Sequence, residues 1–148
     1  MMNNFLFFFD LDPESPNVIG PDTRWGGPLV PCMFFKDEQL FLVIGTPGGF
    51  GIPHTTTQMI SNVLDHGMGV QAAIEAPRVR LWEGTRVVAE ERIPAEVRAE
   101  LERRGHVIEL VEAFSPAVGG GQGILIDPET GAKSGGGDPR RDGTALGY

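Results

Sequence analysis

The stretch Gly45-Thr46-Pro47-Gly48-Gly49-Phe50-Gly51 follows a uniformly apolar run, Leu40 to Ile44, and precedes a segment of helical spacing. Gly48 and Gly49 carry no side chains, so their backbone N–H groups can approach a ligand closely. A helix beginning just beyond adds partial positive charge at the same place. Three readings fit: a phosphate cradle, a hole for a developing oxyanion, or a tight turn with no ligand. The phosphate reading is the weakest. The stretch lacks the Lys-Ser/Thr close of a phosphate loop and the glycine spacing of a dinucleotide fingerprint.

Other reactive side chains are scattered. His54, His66 and His106 belong to different predicted elements, which argues against a convergent metal site, and no cofactor is expected. Cys32 is the lone cysteine; it lies between Pro31 and an apolar run, so it reads as a structural thiol. Asp65 and Glu75 fall on separate helix ends. Trp25 and Trp82 read as packing residues. Arg140 and Arg141 stand in an irregular tail, where they can pair with acids elsewhere or stay solvated.

The elements that must position the loop can be traced along the chain. Residues 2–9 read as an apolar strand, buried on both faces or paired to a partner. Residues 10–31 hold five prolines and exclude long regular elements. Cys32 to Phe35 and Leu40 to Ile44 form a hairpin about the turn 36–39. A helix over 54–66 follows, with Thr55, Thr56 and Thr57 placed to cap it and Gly67 and Gly69 to end it. A short helix over 70–76 stops at Pro77. A hairpin turns at Glu83-Gly84, and Pro94 opens a helix with Ile93, Val97 and Leu101 on one face. Glu100 and Arg104 make an i,i+4 pair on the other face. A strand over 106–111 and a last hairpin about 128–131 complete an α+β layer of mostly antiparallel sheet, expected as one domain over 1–148.

Composition narrows the partners. A net charge of −8 leaves no basic stripe for a phosphate backbone, which excludes nucleic acid. Phe5 to Phe9 is too short to cross a bilayer and has no basic leader, so a soluble chain without membrane contact is expected. The 21 glycines follow no period, which excludes collagen; they cluster at 45–51, 119–123 and 135–137, where tight loops are expected.

Several motifs in one order resemble the γ-glutamyltranspeptidase family: Asn3-Asn4; Gly45-Thr46-Pro47-Gly48-Gly49; Gln58; Asn62 to Met68; Glu75-Ala76-Pro77-Arg78; Gly121-Gln122; Asp138-Pro139-Arg140; and Gly147-Tyr148. The resemblance covers nearly all of the chain. It implies the C-terminal portion of an αββα sandwich of the N-terminal-nucleophile hydrolase type. In that family a threonine freed by self-cleavage attacks a γ-glutamyl amide, its own α-amino group serves as base, and acyl transfer or hydrolysis follows. Carried over, Gly48 and Gly49 are the oxyanion donors.

The same resemblance implies departures. The family's nucleophile lies ahead of the Asn-Asn strand, so it is expected outside this chain, and Thr55, Thr56 and Thr57 cannot replace it from within a helix. The chain alone is therefore expected to be inactive. Its expected partners are the missing N-terminal, large-subunit portion and a small-molecule acyl amide. Where the transpeptidases carry a glutamine and an acidic pair for the substrate ammonium, this chain has Phe5, Phe7 and Phe8. Their carboxylate-gripping serine pair falls at Gly27 and Pro28. An acylase with a different acyl group is implied, and glutathione chemistry is not. Two alternatives stand beside it: a non-catalytic module that pairs through the Phe5–Phe9 strand into a homo-oligomer, and a subunit completed by a separate threonine-bearing chain.

Overall fold

The computed structural model describes residues 4–147; Asn3 and Tyr148 of two quoted motifs, and the Met2-Asn3 start of the expected 2–9 strand, lie outside them. Among the described residues, seven strands form two sheets. β1 (Cys32–Lys36), β2 (Gln39–Gly45), β6 (Gln122–Ile126) and β7 (Lys133–Gly137) make an antiparallel sheet in the order β1-β2-β6-β7. β3 (Val79–Leu81), β4 (Arg86–Glu90) and β5 (Val107–Val111) make the other. There β3 and β4 are antiparallel, while β4 and β5 run parallel. That pair needs a crossover, supplied by α3 (Ala95–Arg103). The mixed α+β class with mainly antiparallel pairing is therefore observed.

Alternation along β2 sets the core. Leu42 and Ile44 point to one face and are 0% and 2% exposed. They meet Met59 and Val63 of α1 (Ile52–Leu64) and Val70, Ala73 and Ile74 of α2 (Val70–Glu75). Burying each large side chain of this cluster contributes about 1.5–3 kcal/mol. Three helix-borne amides then lock backbone to backbone. Gln58 of α1 donates to the Val79 carbonyl at 2.7 Å and accepts the Val79 N–H at 3.0 Å. Gln71 of α2 treats Gly137 the same way, at 3.0 Å each. Asn62 donates to the Ala73 carbonyl, which joins α1 to α2.

Several local expectations are corrected. Phe5–Phe8 is a 3₁₀ turn, not a strand: Phe7 and Phe9 donate back to Asn4 and Leu6 at 2.9 and 3.1 Å. A run of five apolar residues has no period to select a sheet face. Its rings find partners in Trp25 instead, and the Asn17 side chain takes the Phe8 carbonyl. Phe7 remains 79% exposed, so the segment is not buried on both faces.

The threonines, secondly, do not cap α1. The helix begins earlier, with Pro53 in its first turn, and the Thr55 and Thr57 hydroxyls donate to the Gly51 and Pro53 carbonyls at 3.0 and 2.7 Å. Thirdly, the start of the segment after β7 is buried, while Arg141 and most of the residues beyond it stay exposed. Pro139–Arg141 forms a 3₁₀ turn, and Asp138 and Arg140 are 0% and 5% exposed. The 135–137 glycine cluster, expected as a tight loop, instead lies within β7 and pairs with β6; the Arg104–Glu100 pair forms as expected, at 2.7 Å.

Candidate active site

β2 lies between β1 and β6, and it delivers the glycine loop at the end of a rigid strand. Gly48 has φ 151° and Gly49 φ 57°, values that residues with a Cβ rarely adopt. Gly49-Phe50-Gly51 then makes one 3₁₀ turn into α1. Neither the Gly48 nor the Gly49 N–H hydrogen-bonds to another described residue. Two adjacent donors left over at the mouth of a helix can serve an anionic oxygen.

The loop is held from one side by the second glycine cluster. The Thr46 hydroxyl accepts the Gly120 N–H at 2.9 Å and donates to the Pro47 carbonyl at 2.8 Å. Gly119, at φ 93°, lies so close that a Cβ there would stand 2.8 Å from Thr46 Oγ1. Gly121 continues this cluster into β6. Its N–H goes to Asp138 Oδ2 at 2.7 Å, and the Asp138 N–H returns to the Gly121 carbonyl at 3.0 Å.

Asp138 opens a buried charge network. Its carboxylate pairs with Arg78 and with Arg140 Nη1, the latter at 3.1 Å, and it accepts the Arg140 N–H at 3.0 Å. Arg140 Nε donates to Glu90 Oε1 at 2.6 Å and Nη2 to Glu90 Oε2 at 2.9 Å, a bidentate pair. The same guanidinium reaches the carbonyls of Ile74 and Ala76, each at 2.9 Å, closing the end of α2. Two fully buried guanidiniums thus face two fully buried carboxylates, and the partly exposed Arg92 adds a third cation on Glu90 at 2.8 Å.

The titration shifts follow from that geometry. Burial pushes the Asp138 carboxyl up, but the Arg140 and Gly121 N–H groups and the Arg78 charge outweigh it, and the net lies below the usual range. Glu90 behaves alike, with Arg140 and then Arg92 outweighing burial. Arg78 is lowered, first by burial and then by Arg140. Arg140 is opposed by burial and still raised, through Glu90 and Asp138.

The other singled-out residues do not converge on the loop. His54 stands in the first turn of α1, His66 lies beyond that helix, and His106 precedes β5. Among the described residues no group of three metal-ligating side chains forms. Cys32 packs half-buried against the core, its thiol toward the Val30 carbonyl. Asp65 accepts from Ser61 at 2.6 Å and Glu75 from Gln71 at 2.6 Å, each within its own helix region. Trp82 is 55% exposed, under the Arg80 guanidinium.

Nothing in the sequence singled out Glu90, and of the two readings open for Arg140, pairing with distant acids is the one observed. A usable signal existed: Asp138-Pro139-Arg140 reads as an aspartate capping a proline-started turn, which ties the arginine down.

A central strand that ends in two adjacent N–H donors without acceptors among the described residues is an arrangement that can stabilise an oxyanion. Comparison gives the family. The γ-glutamyltranspeptidase family model matches residues 1–148, and the chain belongs to that family. It is 38% identical over 154 residues to the glutathione hydrolase-like YwrD proenzyme of Bacillus subtilis, covering 99% of this chain and 29% of that protein. It is 36% identical over 145 residues to the acylase ACY 1 proenzyme of a Pseudomonas species, covering 97% and 25%. The chain thus spans less than a third of the length of these curated relatives. Among solved structures, cephalosporin acylase from Bacillus halodurans matches with a TM-score of 0.83 at 36% identity, covering 95% of this chain and 27% of that one. A γ-glutamyltranspeptidase variant of Helicobacter pylori matches with a TM-score of 0.82 at 30% identity, covering 95% and 81%.

Proposed function

We propose that this chain is the C-terminal part of a γ-glutamyltranspeptidase-like amide hydrolase or acyltransferase, and that it supplies the oxyanion-stabilising loop. Gly48 and Gly49 are the backbone donors, and the threonine nucleophile comes from a segment outside the chain. The observation that carries the reading is the pair of adjacent N–H groups without acceptors among the described residues, held in left-handed conformations on the end of β2. The threonines near the loop have other tasks: Thr46 ties the loop to Gly120, and Thr55 and Thr57 donate to helix carbonyls. Family membership supports the reaction class. The acyl transfer itself would run through attack on the amide carbonyl, with charge developing on its oxygen as the loop donors tighten on it.

A second observation bears on the partner. The sheet face opposite α1 and α2 carries a cross-strand row of Met33, Val43 and Ile124, with Met33 65% and Ile124 45% exposed. We read it as the seat of the rest of the enzyme. In the isolated chain it would drive self-association.

The isolated chain, assayed on γ-glutamyl-p-nitroanilide and simple acyl amides, is expected to give no turnover. Reproducible turnover would place the nucleophile within these 148 residues and sink the reading.

A further inference from the structure

An aromatic shelf stands against the loop. Phe50 follows Gly49 directly, and its ring meets Phe8 edge-on with centroids 5.7 Å apart. Phe8 stacks on Trp25 at 5.5 Å, and Phe5 stacks on Trp25 at 4.9 Å. The rings come from three separate stretches of chain, and polar groups bring them together. The Asn17 side chain donates to the Phe8 carbonyl and accepts the Gly26 N–H at 2.8 Å, so one amide clamps the Phe8 and Trp25 segments. The Asp10 N–H adds a bond to the Asn17 carbonyl at 2.9 Å. Trp25 lies across Gly27, where any Cβ would overlap the indole, so the ring is braced by its own backbone. Such a wall is built in advance of a ligand, which lowers the ordering cost of binding.

The shelf is nevertheless open. Phe50 is 59%, Phe5 39% and Phe7 79% exposed, a contiguous apolar surface beside the two unused donors. It offers little to a charged group. Among the described residues, no cation lies over the Phe8, Trp25 or Phe50 rings. A charged ligand arm placed here would be desolvated without compensation, whereas an aryl ring gains stacking and edge contacts.

We propose that the amide handled at the Gly48–Gly49 loop carries an aromatic ring, seated on Phe8, Trp25 and Phe50. This rests on the loop being the oxyanion site. Because Phe50 adjoins Gly49, the ring stands only a short link away from the carbonyl. It can belong to the acyl half or the amine half of the amide, and the ligands below separate the two.

The test follows backbone amide and indole NMR signals of the ¹⁵N-labelled chain during titration. Benzylphosphonate joins a ring to a tetrahedral anion; 2-amino-4-phosphonobutyrate joins the same anion to a charged aliphatic arm. The expected result is that benzylphosphonate moves the Gly48, Gly49 and Trp25 signals saturably and binds more tightly than the amino acid. Phe50→Ala, at an exposed ring, should weaken it about three- to tenfold. Phenylacetamide outcompeting acetanilide assigns the ring to the acyl half, and the reverse order assigns it to the amine half. If the amino acid moves Gly48 and Gly49 while benzylphosphonate does not, the aromatic proposal falls and the loop reading stands. If benzylphosphonate binds equally well to Phe50→Ala, the aromatic proposal falls too. If neither phosphonate moves Gly48 or Gly49, the loop reading fails and takes the proposal with it.

Discussion

At the scale of residues, Asp138 joins the glycine cluster to the charge network. It accepts from Gly121 N–H and pairs with Arg78 and Arg140, all out of water. Asp138→Asn keeps the size and removes one charge, leaving two guanidiniums against one carboxylate in the interior. Breaking such a buried pair costs about 3–5 kcal/mol, read as a drop in the denaturant midpoint with an unchanged slope. A midpoint within error of the parent would show that the network contributes nothing. The pH dependence has a definite sign. Asp138 and Glu90 both titrate below their ordinary values in the folded chain, so their contribution is full above the unfolded carboxylate range. It is lost as pH falls through the lower folded values, and stability should decline below about pH 4. Asp138→Asn should flatten that decline, as acid titration by circular dichroism would show.

Among the elements, what could be read in advance follows from periodicity. The β1–β2 hairpin, the glycine loop and α1 sit where alternation and helical spacing put them, because Leu42 and Ile44 have one apolar face to bury. Phe5–Phe8 went the other way. Its composition favours a strand, but its shape comes from distant partners, Trp25 and Asn17, that no local window contains. The turn that holds Arg140 was legible locally, but its partner Glu90 was hidden for the same reason, lying 50 residues away. Glycines in β7 were legible as unusual without their cause being so. A Cβ on Gly136 would come within 2.8 Å of Ile74 Cδ1 and 3.2 Å of Gln71 N, so α2 lies directly on the strand backbone. Gly136→Val should therefore push α2 off β7 and break the Gln71–Gly137 bonds, at a cost of about 1–3 kcal/mol. Thermal unfolding measures this, and a neutral effect would mean α2 is free to shift.

For the molecule as a whole, one sheet face is covered by α1 and α2 and the other is not. Met33, Val43 and Ile124 line the open side across three strands, and Leu146, 91% exposed, borders the same groove. Ile124 is the most central exposed member of that row. We expect light scattering on the isolated chain at tens of micromolar to give a mass above the monomer, and Ile124→Asp to restore the monomer. A monomeric parent chain would remove the open face as an association surface.

The route by which the chain reaches this fold is constrained by the buried network. Arg78 and Asp138 are 60 residues apart, and Arg140 and Glu90 are 50 apart. Both pairs join distant parts of the chain, so they are expected to close after the local hairpins and helices have formed. The Asp138–Arg141 turn is therefore expected to dock late. Until it does, Arg78 and Glu90 stay hydrated and the end of α2 stays loose. Docking acts as a checkpoint: a chain with a misplaced β4 or β6 has nowhere to put the turn, and it remains open to proteolysis at its C-terminal end.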